Sequence, residues 1–344
     1  MNLLRTGLTT ALVVLMGAAI AHGQGVDRVH RRNGVDAGTI TAITPLQVTI
    51  SKGGVESTVA VEDVKALYFA GEPGELNSAR AAFEAGRAQD ALDALAKIDA
   101  AAVRREEIQV EIEFYTAAAR AQLALAGRGE ESESIAQLRT FVAQRRTSLH
   151  LSRAIELVGD LLAASGQWDE ARAEYAKLAK APGPYFEFRA ALLAGRTLQG
   201  AGDHGAAVAE FDRVINSAAR GGAMDELRLA ATLDRAISQA GAGQGAEAAS
   251  AIGTLIAQAD PNNHALLARA FTALGDAYLQ AGDKQGALFA FLHVDLLYAG
   301  TPEFHAKALS RLATLWRDAG RENRAQEAAE KLANKYPESR WARN

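Results

Sequence analysis

The chain has 344 residues, with 37 basic and 41 acidic side chains and a formal net charge of −4 at pH 7. This mild charge gives no reason to expect nucleic acid as a partner, because affinity for nucleic acid depends on neutralising phosphates with an excess of Lys and Arg. The absence of cysteine excludes disulfides and lipid attachment through an N-terminal cysteine. The fold must therefore be held together by packing alone.

The first residues have the layout of a secretory signal peptide. Arg5 supplies a positive charge, and residues 8–20 are nearly free of polar side chains. This run is shorter than the about 20 apolar residues that span a bilayer, and residues 19–21 (Ala-Ile-Ala) offer a cleavage site. We expect a signal peptide at 1–21, with cleavage after Gly23 and an uncleaved anchor as alternatives. The cleaved chain would have no transmembrane segment and would be periplasmic or secreted.

Residues 26–70 alternate between apolar and polar side chains, as half-buried strands do. Five strands are predicted, at 26–32, 37–43, 46–51, 56–61 and 64–69. Asn33-Gly34 indicates a tight hairpin, because both residues tolerate positive φ. In number, order and turns these strands resemble the small SH3-like or Sm-like β-barrel.

Sm-like barrels often bind RNA, but the residues of this module do not favour that function. RNA recognition needs basic groups interleaved with stacking aromatic side chains. The module has one basic pair, Arg31-Arg32, and its two aromatic residues are adjacent in one apolar strand. We therefore expect no nucleic-acid partner, and we expect the basic pair at a solvated edge.

From residue 75 to residue 344, a glycine returns every 36 to 41 residues within amphipathic helical sequence. The glycines are Gly86, Gly127, Gly166, Gly202, Gly241, Gly282 and Gly320. Most are followed, five positions later, by an alanine. A fixed period of this length indicates stacked helical hairpins that bury a continuous core. We expect about seven hairpins, or roughly fourteen helices.

The best-preserved unit contains Leu274, Gly275, Tyr278, Gly282, Ala287 and Phe291. Gly275 would let two helices approach closely, and Gly282 would end the first helix with a positive φ. This unit resembles the tetratricopeptide repeat (TPR) family, and the resemblance is most specific in the last five units. In the unit at Gly241, Ser250 stands where an aromatic residue is expected. The side chains expected to be buried between hairpins are Phe271, Tyr278, Phe291, Trp316, Leu312 and Tyr175.

The resemblance implies a mainly α fold, a TPR-like right-handed α-solenoid preceded by the small five-stranded β-barrel. It also implies a binding scaffold of the exported bacterial type. We found no catalytic constellation: the seven histidines are scattered, and no pair has the i, i+4 spacing of a helical zinc site. We therefore expect no enzymatic activity, no metal and no cofactor.

One cationic residue stands thirteen positions before each of the last five turn glycines. The five are Arg153, Arg189, Arg228, Arg269 and Lys307. Equivalent positions of a repeat project to the same side of the array, and in the TPR family this position lines the concave groove that holds peptides. With neighbours on the same face, the candidate binding residues are Arg153, Arg189, Arg196, Arg228, Arg235, Arg269, Lys307 and Arg311.

Two interpretations of these cations remain open. Guanidinium groups bind carboxylates with two hydrogen bonds, so the groove would hold a protein or peptide that is acidic or has a free carboxylate. Alternatively, Asp160 and Asp276 would pair with neighbouring cations between repeats. The predicted function is a protein–protein interaction scaffold of the cell envelope. The alternatives are an envelope assembly factor, suggested by an ending at 335–339 similar to those of envelope-associated repeat proteins, and a small ligand bound by the β-module.

Overall fold

The computed structural model describes residues 25–337, 339, 341 and 342. The predicted signal peptide lies outside these residues. The described chain forms five β-strands followed by fourteen α-helices. None of the described helices has both the length and the apolar character needed to cross a bilayer.

The five predicted strands are confirmed. They are β1 (Asp27–Arg31), β2 (Gly34–Ile43), β3 (Gln47–Lys52), β4 (Val55–Ala60) and β5 (Val64–Tyr68). Gly34 has φ of 110° at the predicted hairpin turn, and a 3₁₀ turn at Val61–Asp63 links the last two strands. We call this five-stranded sheet the β-module.

The expected barrel is not closed. The strand order is β4-β3-β2-β1-β5, with antiparallel neighbours, and the edge strands β4 and β5 do not pair with each other in the described chain. The apolar face that a barrel would bury inside itself packs against helices instead. Val29, Val48 and Leu67 of the sheet share one buried cluster with Leu76 and Phe114 of the helices. The helices thus cover the apolar face of the sheet, which the other strands would cover in a closed barrel.

The fourteen helices pair in sequence, and each odd-numbered helix packs against the even-numbered helix that follows it. The helices are α1 (Gly74–Glu84), α2 (Ala88–Leu95), α3 (Glu106–Leu125), α4 (Glu131–Gln144), α5 (Leu151–Ala164), α6 (Trp168–Tyr175), α7 (Pro184–Gly200), α8 (His204–Ile215), α9 (Gly222–Gly241), α10 (Gly245–Gln258), α11 (His264–Gln280), α12 (Lys284–Leu297), α13 (Pro302–Asp318) and α14 (Glu322–Lys335). The prediction of seven hairpins is confirmed.

A glycine with positive φ follows the first helix of every hairpin. These are Gly86, Gly127, Gly166, Gly202, Gly243, Gly282 and Gly320. In the fifth hairpin, the expectation that Gly241 makes the turn is wrong. Gly241 is the last residue of α9 and lies against the ring of His204, which leaves no space for a Cβ. The helix therefore continues to the next glycine, where the chain can turn.

This two-residue shift changes the interpretation of the fifth hairpin. Counted from Gly243, the alanine and apolar positions of the repeat fall on Ala248 and Ile252, and both are buried. Ser250, where an aromatic residue was expected, is exposed. The residue thirteen positions before Gly243 is an alanine, so Arg228 does not occupy the repeated cationic position.

Close packing of a glycine against an aromatic ring joins the two helices of several hairpins. A Cβ on Gly275 would lie 2.6 Å from the ring of Phe291, and one on Gly195 would lie 2.5 Å from the ring of Phe211. Gly275 thus lets the two helices approach closely, as predicted, and the ring of Phe291 lies at this contact. Three of the six predicted core side chains are fully buried; Phe271, Tyr278 and Trp316 are only half-buried, at the edges of their clusters.

The odd-numbered helices form an inner layer of the array. Contacts link α1 to α3, α3 to α5, α7 to α9, α9 to α11 and α11 to α13, and no contacts of similar extent join the even-numbered helices among the described residues. The β-module lies against this inner layer. One apolar cluster runs from the sheet to α7, whereas the later hairpins have separate, smaller clusters.

Candidate binding groove

A partly buried ion pair fixes the β-module to the start of α3. Arg105 donates two hydrogen bonds, of 2.7 and 2.9 Å, to the carboxylate of Asp27 and lies over the ring of Phe69. The same carboxylate accepts hydrogen bonds from the backbone N–H groups of Ile40 and Ala70. Burial would raise the pKa of Asp27, but these donors outweigh it and hold the pKa below its ordinary value. The sheet is thus firmly attached to the helices.

A second buried network connects the module to three helices of the array. Arg80 of α1 donates to Glu72 and to Glu111 of α3, and its guanidinium lies 5.1 Å from the centre of the Tyr68 ring in β5. The ring of His150, just before α5, lies 2.6 Å from the Glu111 carboxylate. The module and the first three hairpins therefore form one body.

Arg32 makes the contact between the β-module and the helices that lies furthest along the array. It forms ion pairs with Asp63 and with Glu226 at the start of α9, and it donates to the carbonyl of Glu62. The expectation of a solvated edge is therefore wrong for Arg32, because its side chain is held between the module and a helix. The module covers the inner layer from α1 to the beginning of α9.

Three clusters of cations around carboxylates lie on the inner layer. Cluster 1 is Arg153, Glu156, Asp160 and Arg189; cluster 2 is Arg196, Asp234 and Arg269; cluster 3 is Asp276, Lys307 and Arg311. They contain six of the eight predicted binding residues. Each cluster joins neighbouring hairpins, so the ion pairs follow the repeat.

Cluster 1 is electrically balanced and lies beside the β-module. Arg189 donates two hydrogen bonds of 2.8 Å to Glu156, and Arg153 pairs with both Glu156 and Asp160. Burial would raise the pKa of Glu156, but the two guanidinium groups hold it below its ordinary value. Burial does raise the pKa of Asp160, whose carboxylate accepts a hydrogen bond from Tyr175.

Cluster 2 has an excess of positive charge. The fully buried carboxylate of Asp234 accepts a hydrogen bond of 2.7 Å from Arg196 and also pairs with Arg269. The pKa of Arg196 is lowered because the side chain is desolvated and because the cations of Arg269 and Arg189 repel its charge. One carboxylate therefore serves two guanidinium groups.

Cluster 3 repeats this arrangement one hairpin further on. Asp276 lies 2.5 Å from the amine of Lys307 and 3.5 Å from the guanidinium of Arg311. Lys307 also lies 5.5 Å from the centre of the Trp341 ring. The side chain of Arg311 is 44% exposed, so it can reach a partner without first being released from the core.

The other two predicted binding residues lie outside the clusters. Arg228 pairs with Asp225 and donates to the carbonyl of Ala219, both next to the start of α9. Arg235 pairs with Asp212 of α8. They are displaced because the turn falls at Gly243, two residues beyond the position from which they were counted.

Two cavities border the clusters. The first, about 370 Å³, lies between the β-module and helices α1, α3, α5 and α7, and the cations of cluster 1 line it. The second, about 600 Å³, lies between α9, α11 and α13, and its walls include Arg269, Lys307 and Arg311. We call the second cavity the open groove, because the β-module does not line it.

Sequence reasoning found the cations but only part of their environment. Asp160 and Asp276 were expected as partners, whereas Glu156 and Asp234, which hold four cations, were not. Glu156 stands three residues after Arg153, a spacing that places two side chains on one face of a helix and could have revealed it. Whether the cations bind a partner stays a prediction.

No group of three or more metal-ligating side chains occurs among the described residues. The buried ring of His305 is held at both nitrogens, 2.7 Å from the carboxylate of Asp295 and 2.7 Å from the hydroxyl of Tyr336. Lys331 pairs with the same carboxylate. This histidine fastens α13 to α12 and to the end of the array.

Comparison with known proteins agrees with this geometry. The tetratricopeptide repeat family model matches residues 307–339, which contain most of α13 and all of α14. No curated protein matches the chain. Among solved structures, a Rap protein complexed with competence and sporulation factor is similar over 78% of this chain and 76% of its own, with 13% identity and a TM-score of 0.52.

A tetratricopeptide repeat protein from Parabacteroides merdae is similar over 78% of this chain and 98% of its own, with 15% identity and a TM-score of 0.50. At these identities the likeness concerns the fold. The chain is thus a TPR-like α-solenoid whose last hairpin matches the tetratricopeptide repeat itself.

Proposed function

We propose that this protein is a non-enzymatic interaction scaffold of the cell envelope that binds a segment of a partner protein in the open groove. The observation that carries this proposal is a cavity of about 600 Å³ that is lined by Arg269 of cluster 2 and by Lys307 and Arg311 of cluster 3. Two acidic side chains, Asp276 and Glu303, line the same cavity, so its three Arg and Lys side chains outnumber its acids. A partner carboxylate would balance this excess, with charge-assisted hydrogen bonds to guanidinium groups.

The position of the β-module favours the open groove as the binding site over the rest of the inner layer. Cluster 1 lies beside the module and has two acids for its two cations, so Arg153 and Arg189 have less to gain from a partner carboxylate. Arg269, Lys307 and Arg311 line the open groove and are the candidates that remain, whereas Arg196, which pairs with Asp234, does not line it. The Rap protein of similar fold was crystallised in complex with competence and sporulation factor, which is consistent with binding by a solenoid of this kind.

The proposed location rests on the signal-peptide pattern of the first 21 residues. Export to the periplasm or medium would place the groove among envelope proteins. N-terminal sequencing of the protein purified from each cell fraction tests this point. A mature chain that begins after Ala21 or Gly23 supports export, and an intact N-terminus in the cytoplasm contradicts it.

Capture of a partner from native envelope extract tests the groove. The protein with Lys307→Gln and Arg311→Gln should lose a partner that the wild type enriches, and capture should weaken as salt rises, because exposed charges are screened over about 8 Å at physiological ionic strength. The matched control carries Arg317→Gln and Arg324→Gln, two exposed cations of the last hairpin that do not line the groove. Equal loss in both proteins, or none in either, contradicts the proposal.

A second candidate function is small-ligand binding in the cavity between the β-module and the array. Tyr115 is only 3% exposed and lines this cavity together with Arg153 and Arg189. Its hydroxyl is a polar group that a small ligand in the cavity could contact. A thermal-shift screen of small polar molecules, repeated with Tyr115→Phe, tests this candidate: a stabilising compound whose effect needs the hydroxyl supports it.

A further inference from the structure

One wall of the open groove comes from the segment that follows α14. We call the described residues of this segment the α14 extension; they are Pro337, Ser339, Trp341 and Ala342. The indole of Trp341 lines the groove together with Phe304 and Lys307 of α13. The groove therefore contains an aromatic side chain that does not belong to the paired helices.

The contacts of this indole show what the end of the groove accepts. Trp341 packs against the apolar cluster that includes Ala306 and Leu309 of α13. The ammonium group of Lys307 lies 5.5 Å from the centre of the ring. An apolar surface beside a cation is suited to an aromatic ring, because the face of such a ring attracts positive charge.

The α14 extension is held in a way that allows the indole to leave. Trp341 is only half-buried, and cation–π contacts at partly exposed sites are weak. The backbone N–H of Ser339 donates to the carbonyl of Tyr336 over 3.0 Å, and the N–H of Ala342 donates to the carbonyl of Ser339 over 2.9 Å. Both hydrogen bonds are local, so neither has to break when the ring moves out of the groove. Tyr336 is anchored independently, because its hydroxyl lies 2.7 Å from the ring of His305.

We propose that this end of the open groove is a binding site for an aromatic side chain, which Trp341 occupies in the free protein. A partner segment enters by replacing the indole with an aromatic side chain of its own. This inference rests on the proposed function and names a residue type that the partner needs. The ring of the partner would lie beside Lys307, and its carboxylate would reach Arg311, one helical turn further along α13.

A labelled peptide with the sequence of residues 336–344 tests the site by fluorescence anisotropy. Its binding is measured to the full chain and to a protein that ends at Tyr336. In the full chain the attached extension competes with the peptide at a roughly millimolar effective concentration, as expected for a short flexible link. We therefore expect the shortened protein to bind the peptide at least about tenfold more tightly. Equal binding to both proteins, or binding to neither, overturns the inference.

Single substitutions give the same test without shortening the chain. Trp341→Ala should make the full chain bind the peptide about as tightly as the shortened protein does, and this variant takes its place if the shortened protein does not fold. Leu297→Ala removes an exposed apolar side chain of α12 outside the groove, so this control should keep the weak binding of the wild type. A peptide in which Ala replaces Trp should bind none of these proteins. Binding that does not need this Trp overturns the aromatic site.

The proposed function and this inference can fail separately, because the peptide assay needs no partner. A peptide that binds neither protein, beside a captured partner that is lost on Lys307→Gln and Arg311→Gln, overturns the aromatic site alone. A peptide that binds as expected, beside capture that does not depend on these two cations, supports the aromatic site and contradicts the proposed function. When both hold, Trp341→Ala should capture more of the partner than the wild type, and a smaller amount overturns the replacement of the indole.

Discussion

The two halves of this molecule are built from the same repeat but differ in how they are held together. In the N-terminal half, the β-module and helices α1 to α7 share one apolar cluster and two ionic networks. In the C-terminal half, helices α9 to α14 form smaller clusters, and the inner layer stays open. The same cationic position is balanced in the first half and has an excess of positive charge in the second.

This difference shows that a repeated residue need not have a repeated role. Arg189 and Arg269 both stand thirteen residues before a turn glycine and both bind a carboxylate of the preceding hairpin. The pKa of Arg189 is raised, because attraction to Glu156 outweighs its desolvation. Arg269 instead shares its carboxylate with Arg196. The number of acids around the repeated cation therefore differs between the two halves.

The largest expected effect is a loss of stability in the N-terminal half. Arg80→Met leaves Glu72 and Glu111 buried without their common partner, and removing one member of a buried ion pair costs about 3–5 kcal/mol. The β-module and α1 to α5 are expected to unfold at a lower urea concentration than in the wild type. Circular dichroism and hydrogen exchange measure this change. Arg87→Met, at an exposed pair with Asp90, is the control and should cost about 0–1 kcal/mol. Similar costs for both variants would show that the network is not essential.

The next effect depends on pH. The pKa of Asp27 is held below its ordinary value of 3.8, so the carboxylate stabilises the fold above that pH, and this stabilisation is lost as the pH falls through the lowered value. Asp27→Asn should cost about 2–3 kcal/mol at pH 7 and should reduce the loss of stability between pH 5 and pH 2. Unfolding curves at several pH values measure both. An unchanged acid dependence would mean that Asp27 is not the responsible group.

Two glycines of the C-terminal half should respond in opposite directions. Gly275→Ala places a Cβ against the ring of Phe291 and should cost about 1–3 kcal/mol by overpacking. Gly253 lies within α10 with open space around it, so Gly253→Ala should stabilise that helix by about 0.5–1 kcal/mol. Thermal unfolding measures both changes. A loss of stability in both proteins would argue against the close contact as the cause.

The smallest effect concerns the border between the halves. Glu226→Gln should weaken the contact between the β-module and α9 by about 0.2–1 kcal/mol, and Arg32→Gln should weaken it more, because Arg32 also pairs with Asp63. In the double variant the two losses should not add, because both remove the same ion pair. Hydrogen exchange at the β1–β2 turn and at the start of α9 is the appropriate measurement, and losses that add fully would show that the ion pair does not hold the border.

Much of the fold could be predicted because local residue patterns determine it. Alternation of apolar and polar residues predicts the strands. A glycine after the first helix of each repeat, where the chain turns with positive φ, predicts the hairpins. Gly241 misled the prediction because a second glycine follows two residues later. Only the packing of His204 against Gly241, a contact between hairpins, shows which of the two makes the turn.

The site was predictable only in part, because its properties come from contacts between distant residues. The repeat revealed the cations, but no local pattern indicates that Asp234 is buried between Arg196 and Arg269, which lie 38 and 35 residues away from it. Nor did the strand pattern show that the sheet would stay open and pack on the helices. Its apolar face is equally suited to a closed barrel and to a helical layer.

The alanine-rich contacts between the last hairpins have a mechanical consequence. Ala236, Ala240, Ala248 and Ala273 make up much of the cluster that joins α9, α10 and α11. Small side chains interlock shallowly, so neighbouring hairpins can tilt against each other without pulling large groups out of their pockets. We therefore expect the C-terminal half to deform more easily than the N-terminal half, so that its groove would widen or narrow while every hairpin keeps its own fold.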